Sequence, residues 1–473
     1  MAPERPYPHR DVSDVDGGHL WNWARNSVLA SPEALVTASS ELEIRSLLAS
    51  RPGRVRLVGS RMSSGRMLAP AGTSDGEVLL DIRGHAGLLA HGEDWATFAG
   101  GTVLQEVFDA LAALGRMLPA APGVIAEQTL AGALATGTHG QGLQQSSIGD
   151  ALLSLRLVMA DGSVEEFGAD HPWFGALQVG LGTLGVVTAV TLRTVPVAVY
   201  SCVKGATSAQ TLEDDLLVWN RGHEMAKAWW FPDDEKVHVW TAQRASAPEL
   251  AAWEAGGRQL VERTETSDAM NRAVDAALAH MRADTRIVDA QGKPFRTVTR
   301  FKDFSDVTGD VYQVFMRGIA TPQINVEIGV PLHRAPAVVQ KIRAWHAETS
   351  PHLHYPIILR ATGPSRAWLS PSQGDDTLYF GFVVYYAEDG SLSEEGVDFL
   401  IEVEKLLAAE GGRPHWGKYF DDTLYDWPAL YPRWDDFLAV REALDPERVF
   451  SNTFTDRLFP ASRASSASRE VAA

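Results

Sequence analysis

A run of small residues, Ala131-Gly-Ala-Leu-Ala-Thr-Gly-Thr-His-Gly140, constrains the fold of this chain more than any other stretch. Its small side chains leave the backbone uncovered, so that a flat ligand can approach and accept hydrogen bonds from main-chain N–H groups. Thr136, Thr138 and His139 add hydroxyl and imidazole groups that can bind a phosphate or a ribose. Small residues also allow helices to pack closely, and the run by itself is compatible with both interpretations.

Length and composition narrow the class of protein. The 473 residues predict two or three domains. The net charge of −18 argues against nucleic acid and anionic membrane surfaces as partners. A single cysteine, Cys202, excludes an internal disulfide, a multi-cysteine metal site and a compact Cys/His zinc site. Sites made of histidines alone stay open by this criterion, but the histidines are scattered along the chain, and we expect no metal ion. The N-terminus lacks the apolar segment of a signal peptide, and no apolar run could span a bilayer, so we expect a cytoplasmic protein.

The first 200 residues contain short predicted strands and helices. Ser40-x-x-Glu43 is typical of a capping box. Val55-Arg-Leu-Val58 predicts a strand that ends in the loop Gly59-Ser-Arg-Met-Ser-Ser-Gly65, which is either a phosphate cradle or an ordinary turn. The loop matches neither the Walker motif nor the GxGxxG fingerprint of nicotinamide dehydrogenases. Asp161-Gly162 predicts a hairpin turn, and residues 186–192 predict a strand.

The pattern changes around Pro196, after which longer helices alternate with strands. This arrangement predicts a second α+β domain. The predicted helices cover residues 208–220, 247–265, 267–281 and 335–348, and the predicted strands cover residues 227–231, 237–241, 325–330, 357–361 and 377–386.

Several motifs in a fixed order carry a family resemblance. They are the loop at 58–64, the run at 131–140, Gly185-Val-Val187, Arg413-Pro-His-Trp-Gly-Lys418, Asp445-Pro446 and Phe450-Ser-Asn452. With them the chain, from residue 22 to 459, resembles the vanillyl-alcohol oxidase (PCMH-type) flavoproteins, and within them the aldonolactone and alditol oxidase branch. The resemblance implies an α+β fold with a two-part FAD-binding domain and an α+β cap domain over the flavin. The boundaries we expect are a flexible arm (1–20), the FAD-binding domain (21–200), the cap (201–410), a C-terminal segment that returns to the FAD-binding domain (411–460) and a disordered tail (461–473).

The same resemblance assigns cofactor contacts. It implies that the pyrophosphate is held by Val58, Gly59, Ser60, Arg61, Met62, Ser63 and Ser64. It implies that the flavin is lined by Gly123, Val124, Thr129, Gly132, Thr136, Gly137, Thr138, His139 and Gly140. The backbone of Val187 would hold the adenine, and His415 and Lys418 would lie near the isoalloxazine ring. A fixed lysine there would favour the anionic reduced flavin.

The loop departs from the family at the residue that forms the covalent bond to flavin. The sugar-alcohol and lactone oxidases of this branch carry Gly-x-Gly-His-Ser, whereas this chain reads Gly59-Ser-Arg-Met-Ser63. Met62 therefore stands where the linking histidine is expected. A thioether does not readily form that bond, so we expect FAD to be bound non-covalently.

The substrate positions depart further. The family carries a Glu-x-Arg pair on a cap strand, and here the arginine is kept as Arg360 while the glutamate is replaced by Ile358. A histidine and a threonine on the next strand are replaced by Gly381 and Val383. A serine beside the flavin is replaced by Val124. Unpaired buried hydroxyl groups cost roughly 1–3 kcal/mol each, so these losses disfavour a polyol. We expect an apolar, partly aromatic pocket for a larger molecule, with a carboxylate or enolate for Arg360. Its expected lining is Val124, Asn325, Glu327, Ile358, Arg360, Tyr379, Gly381, Val383 and Tyr385.

The leading hypothesis is an FAD-dependent oxidase of a relatively apolar small molecule, with O2 as acceptor and with Arg360, Lys418 and His415 as catalytic residues. Glycine at Gly123 would leave oxygen a route to the flavin. The general base stays open between His415, Tyr385, Tyr419 and Glu127. The alternatives are a flavin-dependent dehydrogenase, a natural-product tailoring or cyclising enzyme, a sugar-alcohol or aldonolactone oxidase with an altered pocket, and a flavin-binding protein without turnover. The oligomeric state stays open.

Overall fold

The computed structural model describes residues 15–460 except 17, 52, 70–76, 121, 124, 264–271, 273–275, 277–305, 316–322, 352, 354 and 387–393. The predicted helix at 267–281 lies outside the described residues except for 272 and 276. Val124, the tail at 461–473 and most of the arm at 1–20 also lie outside them. Within the described residues, no helix is long and apolar enough to cross a bilayer.

A parallel sheet near the N-terminus carries the loop at 59–65. Its order is β4 (Leu35–Thr37), β6 (Glu77–Asp81) and β5 (Arg54–Val58). Helix α1 (Glu41–Ala49) packs beside it and begins at Ser40, whose side chain accepts the Glu43 N–H as the sequence predicts. A small antiparallel sheet, β1 (Val15–Asp16), β2 (His19–Trp21) and β3 (Val28–Ala30), precedes it in the chain.

An antiparallel sheet lies opposite the parallel one. Its order is β11 (Val164–Gly168), β10 (Leu152–Val158), β12 (Val186–Arg193), β8 (Trp95–Ala99) and β7 (Leu88–His91). The hairpin at Asp161-Gly162 joins β10 to β11 as predicted, and Gly162 has the positive φ that favours glycine in such a turn. Helices α2 (Leu104–Ala113), α3 (Leu130–Ala135) and α4 (Phe174–Leu177) accompany this sheet, and the short strands β9 (Arg116–Met117) and β13 (Val195–Pro196) pair with each other.

A large antiparallel sheet forms the second half of the chain. Its order is β17 (Val261–Arg263), β18 (Asp306–Asp310), β14 (Val199–Ser208), β16 (Lys236–Arg244), β15 (Met225–Phe231), β20 (Ile357–Thr362), β21 (Thr377–Tyr385), β19 (Gln323–Pro331) and β22 (Arg413–Pro414). The helices of this half are α5 (Leu212–Gly222), α6 (Ala247–Ala255), α7 (Val311–Phe315), α8 (Ala335–Thr349) and α9 (Glu394–Ala409).

The two faces of this large sheet differ because side chains alternate along each strand. Phe380, Phe382 and Val384 of β21 belong to a core that includes Val338 and Ile342 of α8. The opposite face of β21 carries Tyr379, Gly381, Val383 and Tyr385, as predicted from the period of two. We call this opposite face, with its neighbours Ile358 and Arg360 of β20 and Asn325 and Glu327 of β19, the inner face.

The end of the chain returns to the first half. Helices α10 (Trp427–Leu430), α11 (Trp434–Leu444) and α12 (Thr453–Leu458) bury a stack of aromatic rings in the same core as Phe108, Leu134 and Leu177. Trp416 is at the centre of this stack, 5.2 Å from Trp427 between ring centroids. This packing accounts for the aromatic-rich composition of residues 413–459.

One predicted helix is wrong in length. The helix predicted at 247–265 ends at Ala255, and Val261–Arg263 forms a strand. Gly256 and Gly257 follow the helix directly, and Gly257 has a φ of +70°, so the chain leaves the helical conformation there.

Candidate active site

A long cavity runs between the parallel sheet and the antiparallel sheet. The loop at 58–63 lines one side, and Thr129, Gly132 and Thr136 of the small-residue region line another. Val187 and the glycine-rich turn at 180–185 also contribute. The structure therefore brings together, around one cavity, three of the sequence segments assigned to the cofactor: the loop after β5, the region of Thr129 to Thr136, and Val187. Phe450, Asn452 and Thr455 from the C-terminal segment complete the lining.

Gly59 marks a close approach of the two walls. A Cβ atom at this position would overlap the hydroxyl of Thr129. Thr129 is itself fixed, because its hydroxyl accepts the N–H of Gly132 at the start of α3. A side chain at position 59 would clash with Thr129. Steric exclusion, and not an unusual backbone conformation, therefore accounts for the glycine.

The N-terminal segment holds the loop from outside, a role that sequence reasoning missed. Asn22 Nδ2 donates to the Ser63 carbonyl at 2.9 Å, and Asn26 Nδ2 donates to the Ser64 carbonyl at 3.0 Å. The backbone N–H of Trp23 donates to the Arg61 carbonyl at 2.9 Å. Two asparagines four residues apart are too common a pattern to have revealed this function.

Part of the small-residue run belongs to a different site. His139 does not line the cavity but is stacked on Tyr379 of β21, with ring centroids 3.7 Å apart. Its Nε2 lies 3.7 Å from Glu327 Oε1, and its ring centroid lies 5.4 Å from that of His415. Gly140 contributes a carbonyl to this second site, which we call the polar cluster: His139, Glu327, Arg360, His415 and Lys418.

The centre of the polar cluster is an ion pair between Glu327 and Arg360. The two residues lie on β19 and β20, on either side of β21, so the pair crosses about 10 Å of sheet. Glu327, Gly381 and Ile358 are Cα partners in one row across these strands. The space above Gly381 is taken by the Ile358 side chain, which lies next to the ion pair in the same row.

His415 and Lys418 reach the cluster on a turn that follows β22. The backbone N–H of His415 donates to the Glu327 carbonyl at 2.8 Å, and that of Tyr419 donates to the Asn325 carbonyl at 2.9 Å. The Ser64 N–H donates to the Gly417 carbonyl at 3.0 Å, and the Ser64 hydroxyl donates to Asn325 Oδ1 at 2.8 Å. This turn therefore joins the loop of the cavity to the strand that carries Glu327.

The two imidazole rings of the polar cluster differ at Nε2, which is a hydrogen-bond acceptor in His139 and a donor in His415. His139 Nδ1 lies 3.1 Å from the Gly140 carbonyl, which only accepts, so Nδ1 carries the proton and the neutral ring has its lone pair on Nε2. In His415, Nδ1 accepts the Gly417 N–H at 3.0 Å, so the neutral ring carries its proton on Nε2. Burial holds the pKa of His139 well below its usual range and lowers the pKa of His415 to about 4. Both rings are therefore neutral near pH 7.

The carboxylate is ionised although it is buried. Burial would raise the pKa of Glu327, but the positive charge of Arg360, together with that of Lys418, outweighs it and holds that pKa well below its usual range. Burial lowers the pKa of Lys418, and the negative charge of Glu327 opposes this change. One carboxylate thus faces two cationic side chains, and the excess positive charge favours an anion in the site.

The ligand atoms of His139, Glu327 and His415 lie within 4.8 Å of one another, a spacing compatible with a metal ion. The Arg360 guanidinium already pairs with Glu327, and Lys418 adds a second positive charge nearby. Both would repel a metal cation. This electrostatic environment supports the expectation of a metal-free site.

Apolar side chains adjoin the polar cluster on the inner face. Ile358 contacts the position of Gly381, and Val383 and Tyr385 follow along β21. Beyond them the rings of Tyr355 and Trp229 lie 5.0 Å apart, and those of Trp229 and Trp240 lie 5.1 Å apart. Sequence reasoning missed these three rings, although the Trp-Trp pair on β15 was a signal. Of the bases considered, Glu127 is exposed, whereas Tyr385 is buried.

Comparisons with known proteins identify the family. Residues 32–168 match the FAD binding domain family, and residues 190–458 match the D-arabinono-1,4-lactone oxidase family. The chain belongs to the aldonolactone oxidase branch of the PCMH-type FAD flavoproteins. It is an FAD-dependent oxidoreductase, and the predicted family and cofactor are confirmed.

Individual relatives agree with this membership. The L-gulono-1,4-lactone dehydrogenase of Mycobacterium tuberculosis is 30% identical over 448 residues, covering 93% of this chain and 99% of the relative. The alditol oxidase of a Streptomyces species is 29% identical over 335 residues, covering 69% and 72%. The crystal structure of cholesterol oxidase from B. sterolicum superimposes with a TM-score of 0.69 at 15% identity, covering 97% of this chain and 100% of the other. The last comparison confirms the predicted fold.

The residues of the cavity fit FAD. The cradle at Gly59 has space only for backbone, the walls at Leu155, Leu157 and Leu184 are apolar, and Arg56 and Arg61 bring positive charge to an acidic protein. Gly123 lies elsewhere, where a Cβ atom would overlap Nη1 of Arg360. The space above Gly123 thus adjoins the polar cluster.

Proposed function

We propose that this enzyme oxidises a carbon that bears a hydroxyl group in a relatively apolar small molecule, with FAD bound non-covalently and O2 as the acceptor. The observation that supports it is the row Glu327–Gly381–Ile358 beside Arg360. Glu327 in this row is paired with Arg360, and the other two positions are a glycine and an isoleucine. A polyol would need side chains there that form hydrogen bonds with its hydroxyl groups.

The polar cluster suits the reacting end of such a substrate. The guanidinium of Arg360 and the ammonium of Lys418 stabilise negative charge that develops on the substrate oxygen. His415 Nε2–H can donate a hydrogen bond to the same oxygen. The lone pair on His139 Nε2 can accept the hydroxyl proton, and the adjacent Glu327 carboxylate stabilises the imidazolium that results. FAD held in the cavity would supply the hydride acceptor for the substrate's C–H bond.

The apolar part of the inner face suits the remainder of the substrate. Ile358 and Val383 offer van der Waals contact and no hydrogen-bond partner for a second or third hydroxyl group. Binding energy for a larger apolar group therefore comes from buried area. A carboxylate or enolate on the substrate would gain additionally from the excess positive charge of the cluster.

A dehydrogenase is the second candidate, because a relative that covers nearly the whole chain is named a dehydrogenase. The two candidates share the substrate site and differ in the acceptor. Oxygen consumption against reduction of an artificial dye distinguishes them.

The first experiment is to precipitate the purified protein with acid and to record the visible spectrum of both fractions. Yellow flavin in the supernatant supports non-covalent FAD, whereas flavin in the pellet overturns it. The second experiment compares turnover of benzylic and long-chain secondary alcohols with turnover of xylitol and L-gulono-1,4-lactone. Preference for the apolar alcohols supports the proposal, and preference for the sugars contradicts it.

A matched variant makes the second experiment sharper. Ile358→Glu restores a carboxylate next to Arg360 on β20. We expect it to lower kcat/KM for apolar alcohols and to raise it for xylitol, each by at least tenfold. An equal loss on both classes would mean that Ile358 only supports the fold.

A further inference from the structure

Gln141, the residue that follows the small-residue run, carries a buried amide without a hydrogen-bond partner. Its residue exposure is 0%, and within the described part of the chain neither Oε1 nor Nε2 is hydrogen-bonded. Gln178 shows the usual arrangement, since its buried Nε2 donates to the Gly149 carbonyl at 2.8 Å. An unpaired buried amide costs free energy, and a ligand that pairs with Gln141 would account for it.

The backbone on both sides of Gln141 is anchored. The His139 carbonyl accepts the Gly123 N–H at 3.2 Å, and the Gly142 N–H donates to a carbonyl of β20 at 2.6 Å. Gln141 is therefore held between Gly123 and the strand that carries Arg360. A side chain on such a fixed backbone can position a ligand.

The Gln141 amide and the Arg360 guanidinium face the same space. A Cβ atom on Gly123 would overlap Arg360 Nη1 and would lie 3.3 Å from Gln141 Oε1. The hydrogen bond from Arg360 to Glu327 uses Nη2, and Arg360 Nε has no partner among the described residues. Because the terminal torsion of glutamine is roughly two-fold, the amide can turn either Oε1 or Nε2 towards this space. Arg360 and Gln141 thus offer adjacent donors to one ligand.

The charge around this space favours a carboxylate. The polar cluster holds one carboxylate, Glu327, and two cationic side chains, Arg360 and Lys418. An anionic ligand would balance the excess positive charge, whereas a neutral hydroxyl group would not. The oxygens of a carboxylate only accept, so they would pair with both the guanidinium and Gln141 Nε2.

We propose that Gln141 and Arg360 bind a carboxylate attached to the carbon that is oxidised, so that the substrate is a 2-hydroxy acid with an apolar side group. This inference rests on the function proposed above and adds a specificity-determining residue to it. Each substituent of the reacting carbon then has its own surroundings. The carboxylate lies at Gln141 and Arg360, the hydroxyl group at His139 and Lys418, and the side group at Ile358, which leaves the hydrogen that is removed.

The reaction gives a 2-oxo acid. The hydroxyl proton can pass to His139 Nε2, and the hydrogen leaves the carbon as a hydride with both electrons, for which FAD is the oxidant. Because the carboxylate, the hydroxyl group and the side group contact different residues, the site should discriminate between the two enantiomers of a 2-hydroxy acid.

Binding is tested with benzoate, an aromatic carboxylate that has no carbinol carbon to be oxidised. Benzoate is titrated into the FAD-loaded protein, and the visible spectrum of the flavin is recorded. Gln141→Leu should raise the Kd for benzoate roughly tenfold or more, because the anion loses a hydrogen bond. Gln141→Glu should raise this Kd further, since the new carboxylate repels the ligand and competes for Arg360.

Turnover is tested with mandelate and 1-phenylethanol, which differ by a carboxylate in place of a methyl group. Reduction of the flavin under nitrogen measures both without any acceptor. The wild type should reduce its flavin faster with one enantiomer of mandelate than with 1-phenylethanol. Gln141→Leu should lower the ratio of the two second-order rate constants, mandelate over 1-phenylethanol, by roughly tenfold or more.

Gln178→Leu is the matched control, because it removes a buried amide that is hydrogen-bonded. It should lower the Tm, since the Gly149 carbonyl loses its donor, and should leave the Kd for benzoate within about twofold of the wild type. Gln141→Leu should melt at the wild-type temperature or higher, because it removes an unpaired amide and no hydrogen bond.

Several results would overturn the proposal. They are a wild type that does not bind benzoate, an unchanged Kd for benzoate or an unchanged rate ratio in Gln141→Leu, and a loss of Tm in Gln141→Leu equal to that in Gln178→Leu. A loss of FAD affinity as large as the loss of benzoate affinity would also overturn it, because Gln141 would then bind the cofactor. If Gln141→Leu does not fold, Gln141→Glu carries the same comparison. A wild type that prefers xylitol to 1-phenylethanol contradicts the function proposed above, and the benzoate titration still decides the role of Gln141.

Discussion

Glu327 of β19 and Arg360 of β20 form an ion pair across the intervening strand β21. The side chains of both residues are nearly inaccessible, with 5% and 11% exposure. A buried pair of this kind costs desolvation that its attraction only partly offsets, so its presence argues for a chemical role as much as for stability.

Removal of the Glu327 carboxylate should strongly destabilise the protein. We expect Glu327→Gln to lower the free energy of unfolding by about 3–5 kcal/mol, because Arg360 and Lys418 lose their buried counter-charge. Urea unfolding of the FAD-free protein measures this. Glu224→Gln is the control, since the exposed Glu224–Arg244 pair should contribute less than about 1 kcal/mol. Equal effects of the two substitutions would contradict the assignment.

The steric argument at Gly59 predicts a specific loss of cofactor. We expect Gly59→Ala to weaken FAD binding at least tenfold, because the new methyl group displaces either the loop or the Thr129 side chain. Gly205→Ala, where a Cβ atom meets nothing within 4 Å, should leave FAD binding unchanged. Thr129→Ala should restore part of the affinity in the Gly59→Ala background, and FAD titration monitored by fluorescence measures all four proteins. A double variant no better than the single one would argue against this contact.

Replacement of the buried Glu404 should stabilise the protein at alkaline pH. This buried carboxyl accepts the Asp421 N–H at 2.7 Å and the Tyr425 hydroxyl at 2.9 Å, and burial raises its pKa to about 7. An acid whose folded pKa exceeds its unfolded value stabilises the fold at low pH and loses that contribution as pH rises towards 7. Glu404→Gln keeps both acceptor contacts without the charge. It should raise the unfolding free energy at pH 8 by up to about 3 kcal/mol and give no gain at pH 4. A loss of stability at pH 8 would contradict this account.

The buried His238 should account for part of the loss of stability at acidic pH. Its ring is buried on β16, 4.9 Å from Phe231 between centroids, and burial lowers its pKa to about 4. The unfolded chain takes up this proton near pH 6.5, so the stabilisation is complete above that pH and is lost as pH falls towards 4. His238→Leu should reduce the loss of unfolding free energy between pH 7.5 and pH 5 by about 2 kcal/mol. The exposed His91 offers a control, and His91→Gln should leave the pH profile unchanged.

Local sequence determined much of the cofactor region. The strand and loop at 55–65, the cap of α1 at Ser40, the hairpin at 161–162 and the small-residue run follow from short-range chemistry, because each depends on neighbours within a few residues. The family motifs then gave the FAD cofactor and the fold, which the comparisons confirm. The helix at 247–265 was wrong because two glycines outweighed the helical pattern before them.

The tertiary structure decided which of these residues share a site. The run at 131–140 reads as one motif, yet Thr136 lines the cavity whereas His139 stacks on Tyr379, some 240 residues away in sequence. The sequence showed that a glutamate was missing at Ile358 but could not show that Glu327 supplies a carboxylate to Arg360 from another strand. Strand order and register set such contacts, and they arise from the packing of the whole sheet rather than from any local pattern.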